Sequence, residues 1–251
     1  MDTAKPSARI FTAGALDTGL SIVLERQQSH YLTHVMRLNE GDAVALFNGR
    51  DGEWRATIAE TARHAVTLRC ETQTRPQRSE PDVWLAFAPL KKSRVDFVVE
   101  KATELGASRL IPVFTRHTAA ERVNHDRLRA HAVEAAEQCE RLSVPAVADA
   151  VTLERLLADW PAGRRLFVLD ETGGGRPVAA ALAASHRQDL AEPPRHGILI
   201  GPEGGFSLNE LDALRKLAFV TPVGVGPRIL RAETAALAAL SCWQALVGDW
   251  R

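Results

Sequence analysis

The stretch Ile198-Leu-Ile-Gly201-Pro202-Glu203-Gly204-Gly205-Phe206-Ser207 constrains the chain more than any other. An apolar run ends in glycines, and a helix has to begin at once. Ser207 and Glu210 form an S-x-x-E capping box, which satisfies the free backbone N–H groups of a first helical turn. Leu211 and Leu214 then fall on the inward face. Strand, glycine loop and helix in direct succession is the repeating unit of a parallel sheet covered by helices. The same rhythm runs from Val83 onward. Val83 to Ala88 is a continuous apolar run, as expected of a strand buried on both faces. A helix follows, with Val95, Val98, Val99, Ala102 and Leu105 on one face and Gly106 as its stop. Leu110 to Phe114, Leu166 to Leu169 and Ile198 to Ile200 are further strands, and Val220 to Val225 is another, weakened by Pro222. Asp126 to Leu142, Val178 to Ala184 and Ala232 to Val247 are predicted helices.

The first ~75 residues have a different texture, with short apolar runs alternating with turn signals. Ile10-Phe11, Leu20 to Leu24, Ala43 to Phe47, Trp54 to Ala59 and Ala65 to Cys70 are the predicted strands, and His30 to Leu38 reads as a short helix. Asn48-Gly49 and Asp51-Gly52 mark a tight turn. A compact barrel or half-barrel fits this pattern. Thr74 to Asp82 carries Pro76 and Pro81 among polar residues, so the domain boundary is placed there. The expected domains are residues 1–76 and 77–251.

A chain of 251 residues accommodates one large domain or two unequal ones. With 45% hydrophobic and 25% charged residues the composition is that of a globular protein, which argues against pervasive disorder. No apolar run is long enough to span a bilayer. The polar start, Met1 to Arg9, lacks an apolar signal core. Cys70, Cys139 and Cys242 lie far apart without metal-ligand spacing, and three thiols cannot all pair. A reducing cytoplasm, no membrane and no metal are the expectations. Thirty-one basic residues balance 31 acidic ones, which counts against strong non-specific nucleic-acid binding but leaves room for a local basic patch.

Ligands of open parallel sheets bind beyond the carboxyl ends of the strands, and glycines there let backbone N–H groups approach closely. The 201–205 loop is therefore read as a ligand loop. It is not a P-loop, which needs Lys and Ser or Thr after its last glycine. Gly224-Val-Gly226-Pro-Arg-Ile lacks the third glycine of a dinucleotide fingerprint. Val225 to Ala235 repeats the strand–loop–helix pattern, with Arg228, Arg231 and Glu233. It is either a solvated loop whose arginines pair with Glu233 or a second wall of the same pocket. Lys91-Lys92-Ser93-Arg94 opens the helix that carries Lys101 and Glu104. Arg94 and Lys101 share a face, and Lys101 and Glu104 are spaced to pair. These basic groups suit RNA phosphates or a solvated helix. Glu134, Gln138 and Arg141 fall on one helical face. Cys139 has no base nearby and the histidines are scattered, so neither is given a nucleophilic, triad or metal role.

These motifs resemble those of the bacterial 16S ribosomal RNA uridine-N3 methyltransferase family, within the trefoil-knotted SPOUT superfamily. Gly201-Pro-Glu-Gly-Gly-Phe-Ser207 and Gly226-Pro-Arg-Ile-Leu-Arg-Ala-Glu-Thr-Ala235 carry the likeness most strongly. Lys91 with Arg94, Lys101-Ala-Thr-Glu-Leu-Gly106, and Glu134-Ala-Ala-Glu-Gln138 with Arg141 and Pro145 add to it. Arg9-Ile-Phe11 and His30 to Arg37 through Gly41-Asp42 extend it to the first domain. Cys139, where a small polar residue is expected, and Val225, where leucine is usual, depart from the pattern.

The resemblance implies an N-terminal PUA-like β-barrel that helps hold RNA and a C-terminal α/β domain with a mostly parallel, knotted sheet. It implies S-adenosylmethionine as methyl donor, a homodimer with the donor pocket near the subunit interface, and a uridine of small-subunit RNA as target. N3 of uridine is paired in a duplex, so the base is expected unpaired or flipped out. The expected donor contacts are backbone groups of Leu169, of Ile200, Gly201, Pro202, Glu203, Gly204 and Gly205, and of Val225, Gly226, Ile229 and Leu230. Arg231 is expected to stabilise charge on the uracil oxygens, and Glu203 or Glu233 to take the N3 proton. Arg9, Arg37, Lys91, Arg94 and Arg141 are the candidate RNA contacts. Two other functions remain open: a methyltransferase acting on transfer RNA, and a non-catalytic RNA-binding assembly factor.

Overall fold

A computed structural model of the protein describes residues 6–63, 65–185 and 194–250. The chain divides into two compact units, Met1–Ser79 with Ala136–Val144, and Glu80–Ala135 with Pro145–Arg251.

The first unit is built on a five-stranded sheet. Its strands are β1 (Ala8–Phe11), β2 (Ser21–Val23), β3 (Ala43–Phe47), β4 (Glu53–Ala62) and β5 (Ala65–Arg75), ordered β1-β3-β4-β5-β2. Only β1 and β3 run parallel; the other pairs are antiparallel. Trp54, Ala56 and Ile58 on β4, and Val66, Leu68 and Cys70 on β5, are buried at alternate positions and pack with Ile10, Leu32, Val44 and Leu46. That is the period-2 signature of a sheet with one face in the core. β4 and β5 extend past the predicted Ala59 and Cys70, through a ladder with register shifts. The turn into β4 requires glycine: Gly52 has φ +75°, and a Cβ there would lie 2.2 Å from Arg75 O. The predicted helix at His30 to Leu38 starts earlier, as α1 (Arg26–His30), and continues as a π-helical turn over Tyr31–Val35. Met36 N donates to Tyr31 O across the wider loop, and Arg37 ends the segment at φ +56°. The wider turn accompanies the full burial of Leu32.

The second unit holds the parallel sheet. In chain order its elements are β6 (Val83–Phe87), α2 (Lys92–Glu104), β7 (Arg109–Phe114), α3 (His125–Gln138, of which the residues from Ala136 on belong to the first unit), β8 (Ala146–Val147), β9 (Val151–Thr152) and α4 (Leu153–Ala158). β10 (Arg165–Leu169), β11 (Arg176–Pro177), α5 (Val178–Ser185), β12 (His196–Ile200), α6 (Leu208–Arg215), β13 (Val220–Gly224) and α7 (Ala232–Leu246) follow. The strand order is β11-β13-β10-β12-β6-β7-β8, with β9 also on β7, and every pairing is parallel. β12 is buried along its whole length, as a central strand covered on both faces must be. α3 stops at Gln138 instead of the predicted Leu142 because Glu140 turns left-handed, φ +61°. Arg141 therefore lies beyond the helix and does not share its face with Glu134. Pro222 is tolerated for a geometric reason. Leu166 N and Asp170 N donate to Phe219 O and Val223 O, so the odd-numbered residues of β13 face β10. Pro222 faces the other side, where β11 pairs only with Val223 and Gly224. Sequence reading did not find β8, β9, α4 or β11; they are short or edge elements.

Candidate functional site

The carboxyl ends of β10, β12 and β13 open into a cavity of about 670 Å³. Three loops form it. The first follows β10, from Leu169 through Gly173 and Gly175 to Pro177; the second is Ile200 to Gly205; the third runs from Val223 to Ala232 and reaches Ala235. Neighbouring strands of a parallel sheet all release their loops at the same end, which is why segments far apart in sequence meet here.

The first two loops use glycine where a Cβ has no room. A Cβ on Gly175 would lie 2.5 Å from the Val223 carbonyl carbon, so the first and third loops touch through bare backbone. A Cβ on Gly201 would meet the Phe206 ring at 2.9 Å. Gly205, at φ +68°, would place one 2.0 Å from Glu171 Oε1. The second loop is also braced from outside. His117 Nδ1 lies 3.2 and 3.1 Å from the carbonyl oxygens of Gly204 and Gly205, and Arg116 N donates to Glu210 Oε1 at 2.8 Å. Glu210 closes the capping box with Ser207, as the sequence requires. Burial works against its charge, but hydrogen bonds from Arg116 N and Ser207 hold the carboxyl below its ordinary range.

All of the expected donor-contact residues except Gly204 line the cavity: Leu169, Ile200, Gly201, Pro202, Glu203, Gly205, Val225, Gly226, Ile229 and Leu230. Gly204 instead presents its Cα to His117, where a Cβ would sit 3.3 Å from the histidine Cβ. The first loop is a part of the wall that sequence reading missed beyond Leu169. Its signal was present in Gly173-Gly174-Gly175 directly after a strand. Asp170, in this loop, is almost fully buried and pairs with Arg215 at 2.7 Å. Burial raises its pKa, but hydrogen bonds from Thr172 and Arg215 outweigh that and hold the carboxyl below its ordinary range.

The two candidate bases differ in position. Glu203 lies on the cavity wall, with Oε1 3.2 Å from Arg94 Nη1. Glu233 is off the wall; its Oε1 lies 3.7 Å from Arg94 Nε, and its buried Oε2 has no hydrogen bond. Arg94 thus stands between both carboxylates, which the sequence pattern did not reveal. Arg231 occupies the N-cap of α7 with an exposed side chain on the cavity.

The candidate RNA contacts separate in the same way. Arg37 and Lys91 are exposed, and Arg94 is half-exposed. Arg9 is committed inside the first unit, and the expectation of an RNA contact is revised for it. Its side chain is 10% exposed, bonds Glu53 at 2.8 Å, donates to Ala136 O at 2.7 Å and to Arg141 O, and covers the Phe47 ring. Burial lowers its pKa, and Glu53 opposes the shift. Arg141 donates to Ser143 Oγ at 3.3 Å. Among the described residues no group of three or more His, Cys, Asp or Glu converges as metal ligands, and no helix is long and apolar enough to cross a membrane.

Comparison with known proteins places this architecture among the RNA methyltransferases. Residues 77–244 match the model of an RNA methyltransferase domain, and residues 24–70 that of an RNA methyltransferase PUA domain. Proteins named ribosomal RNA small subunit methyltransferase E are similar along most of the chain. The one from Rickettsia conorii is 31% identical over 212 residues, 84% of each chain. The one from Synechocystis is 32% identical over 229 residues, 90% of this chain and 74% of the relative. A methyltransferase of Legionella pneumophila, solved with S-adenosylmethionine bound, superposes with a TM-score of 0.83 at 27% identity, covering 95% of this chain and 97% of that one. The chain belongs to the ribosomal RNA small subunit methyltransferase E family.

Proposed function

We propose that the cavity binds S-adenosylmethionine and that the chain methylates N3 of a uridine in 16S ribosomal RNA, in the cytoplasm and as a homodimer. The observation that carries this reading is the three-loop cavity itself, with apolar Leu169, Ile200, Val223 and Ala235 together with exposed charged groups. Its size suits a nucleoside-sized ligand. The glycine backbones of 201, 205 and 226 suit close approach by such a ligand. S-adenosylmethionine bound there supplies an electrophilic methyl group. The protein then has to align the uracil and accept its N3 proton. Glu203, on the wall, is better placed for the proton than Glu233, which lies off the wall with its Oε2 buried. Arg231 has its guanidinium free to stabilise negative charge on the uracil oxygens.

Arg37, Lys91 and Arg94 remain the RNA-contact candidates, with Arg141 beside them. The homodimer is supported by Ile229, which is 90% exposed at the cavity; a second copy would cover it. The strand order supports the trefoil knot, since the chain leaving β12 crosses β10 and places β13 on its far side. Incubation with donor and small-subunit RNA from a strain lacking this gene, followed by mass mapping, tests the reaction. The expected product is one methyl on a uridine base of 16S RNA. Methylation of transfer RNA instead, or donor binding with no transfer to any RNA, would favour the transfer-RNA enzyme or the assembly factor.

A further inference from the structure

The charges around the cavity divide by whether the protein itself neutralises them. Asp170 is paired with Arg215 at 2.7 Å and Glu203 with Arg94 at 3.2 Å. Glu171, Arg228 and Arg231 line the same cavity, are exposed, and have no hydrogen bond or ion pair with any described residue. Glu171 is therefore the cavity carboxylate left without a counter-charge. Its position is set from both sides. Asp170 N donates to Val223 O, and Asp170 Oδ1 accepts from Thr172 N, so the backbone flanking Glu171 is fixed. Across the cavity, Gly205 at φ +68° leaves open the space that Glu171 Oε1 occupies, because a Cβ there would come within 2.0 Å.

Burial also divides the cavity lengthwise. Leu169, Ile200, Val223 and Ala235 are buried and apolar, whereas Glu171, Arg228 and Arg231 stand at the exposed rim. The adenosyl portion of the donor matches the apolar floor, and the ammonium of its amino-acid end matches a carboxylate at the charged rim. We propose that Glu171 is the residue that takes the α-ammonium of the donor's methionyl end. This rests on the reading of the cavity as the S-adenosylmethionine site. A carboxylate without a protein partner beside a cavity attracts a cation more strongly than one already engaged by arginine.

Calorimetric titration of wild type and Glu171→Gln with three ligands tests the assignment. S-adenosylmethionine and S-adenosylhomocysteine both carry the ammonium; 5′-methylthioadenosine lacks the amino-acid end. In the variant, affinity for the first two falls by about tenfold each, the scale of one charge-assisted hydrogen bond, and affinity for the third is unchanged. Three results overturn the proposal: no loss for any ligand, equal loss for all three, or loss for S-adenosylmethionine alone, which would place Glu171 on the sulfonium. If wild-type protein binds none of the three, the reading of the cavity fails, and that outcome is distinct from failure of the Glu171 assignment.

Discussion

The two ends of the parallel sheet use the same kinds of side chain in opposite ways. At the amino ends, Asp82, Arg164 and His196 are wired to one another. Arg164 bonds the Asp82 carboxylate and donates to His196 O at 2.9 Å, Ser108 Oγ donates to Asp82 at 2.9 Å, and Trp243 Nε1 donates to His196 Nδ1 at 2.9 Å. Arg164 also lies over the Trp84 ring, 3.8 Å from its centroid. Trp160 fills the room left by Gly197, where a Cβ would lie 2.5 Å from the indole. At the carboxyl ends, glycines keep space open, and Glu171, Arg228 and Arg231 have no partner among the described residues. One end is packed and its charges are paired, although Arg164 Nε is buried without a hydrogen bond. The other keeps exposed charge without a protein partner beside a cavity, where a ligand can meet it. A charged residue in this protein is thus read by its partners, not by its type.

Arg231→Ala should give the largest effect, a fall in methyl transfer of about a hundredfold or more, the scale for removing one preorganised charge donor. Donor affinity by calorimetry should stay the same; unchanged turnover would remove Arg231 from the reaction. Arg164→Ala should do the reverse. It leaves Asp82 and His196 O without their partner, at a cost of about 3 kcal/mol in urea unfolding. Folded variant should still bind donor normally, and a loss of affinity without a loss of stability would break the contrast between the two ends.

Gly205→Ala and Gly204→Ala sharpen the comparison within one loop. The first forces a side chain into a left-handed backbone and onto Glu171, so donor affinity should drop by about tenfold. The second faces His117 and should change affinity far less; equal losses would show that both glycines face the ligand. The smallest effect is on pH dependence. Asp170 has a folded pKa below its unfolded one, so its contribution is present in full above the ordinary carboxylate value of about 3.9 and is lost as pH falls through the depressed range. Thermal melts from pH 6 to pH 2 should show a shallower acid loss for Asp170→Asn than for wild type. Parallel curves would mean that the Arg215 pair adds no pH-dependent stability.

The second unit was largely legible in the sequence because strands buried on both faces read as unbroken apolar runs. Val83 to Phe87 and Ile198 to Ile200 are such runs, and the helices that follow them are marked by the stop at Gly106 and the capping box at Ser207. Elements of two residues, such as β8 and β11, carry too few side chains to show a period. The helix predicted to reach Leu142 ends at Gln138, because the left-handed turn at Glu140 has no glycine to mark it in the sequence.

The sequence by itself determined where chain direction must change and where backbone must stay bare, because glycine, proline and capping residues act over a few neighbours. It therefore named two of the cavity's three loops. Only the tertiary structure decided which charges are free. Arg9 and Arg231 look alike as residues, yet one is enclosed by Glu53 and backbone carbonyls from 127 and 132 positions away, and the other opens onto a cavity. Glu203 and Glu233 are divided by the same Arg94, and the Gly173 to Gly175 loop becomes a wall only when β10 lies between β12 and β13. Pairing of charges is a matter of distances of a few ångströms between residues far apart in the chain, and that information is created by folding.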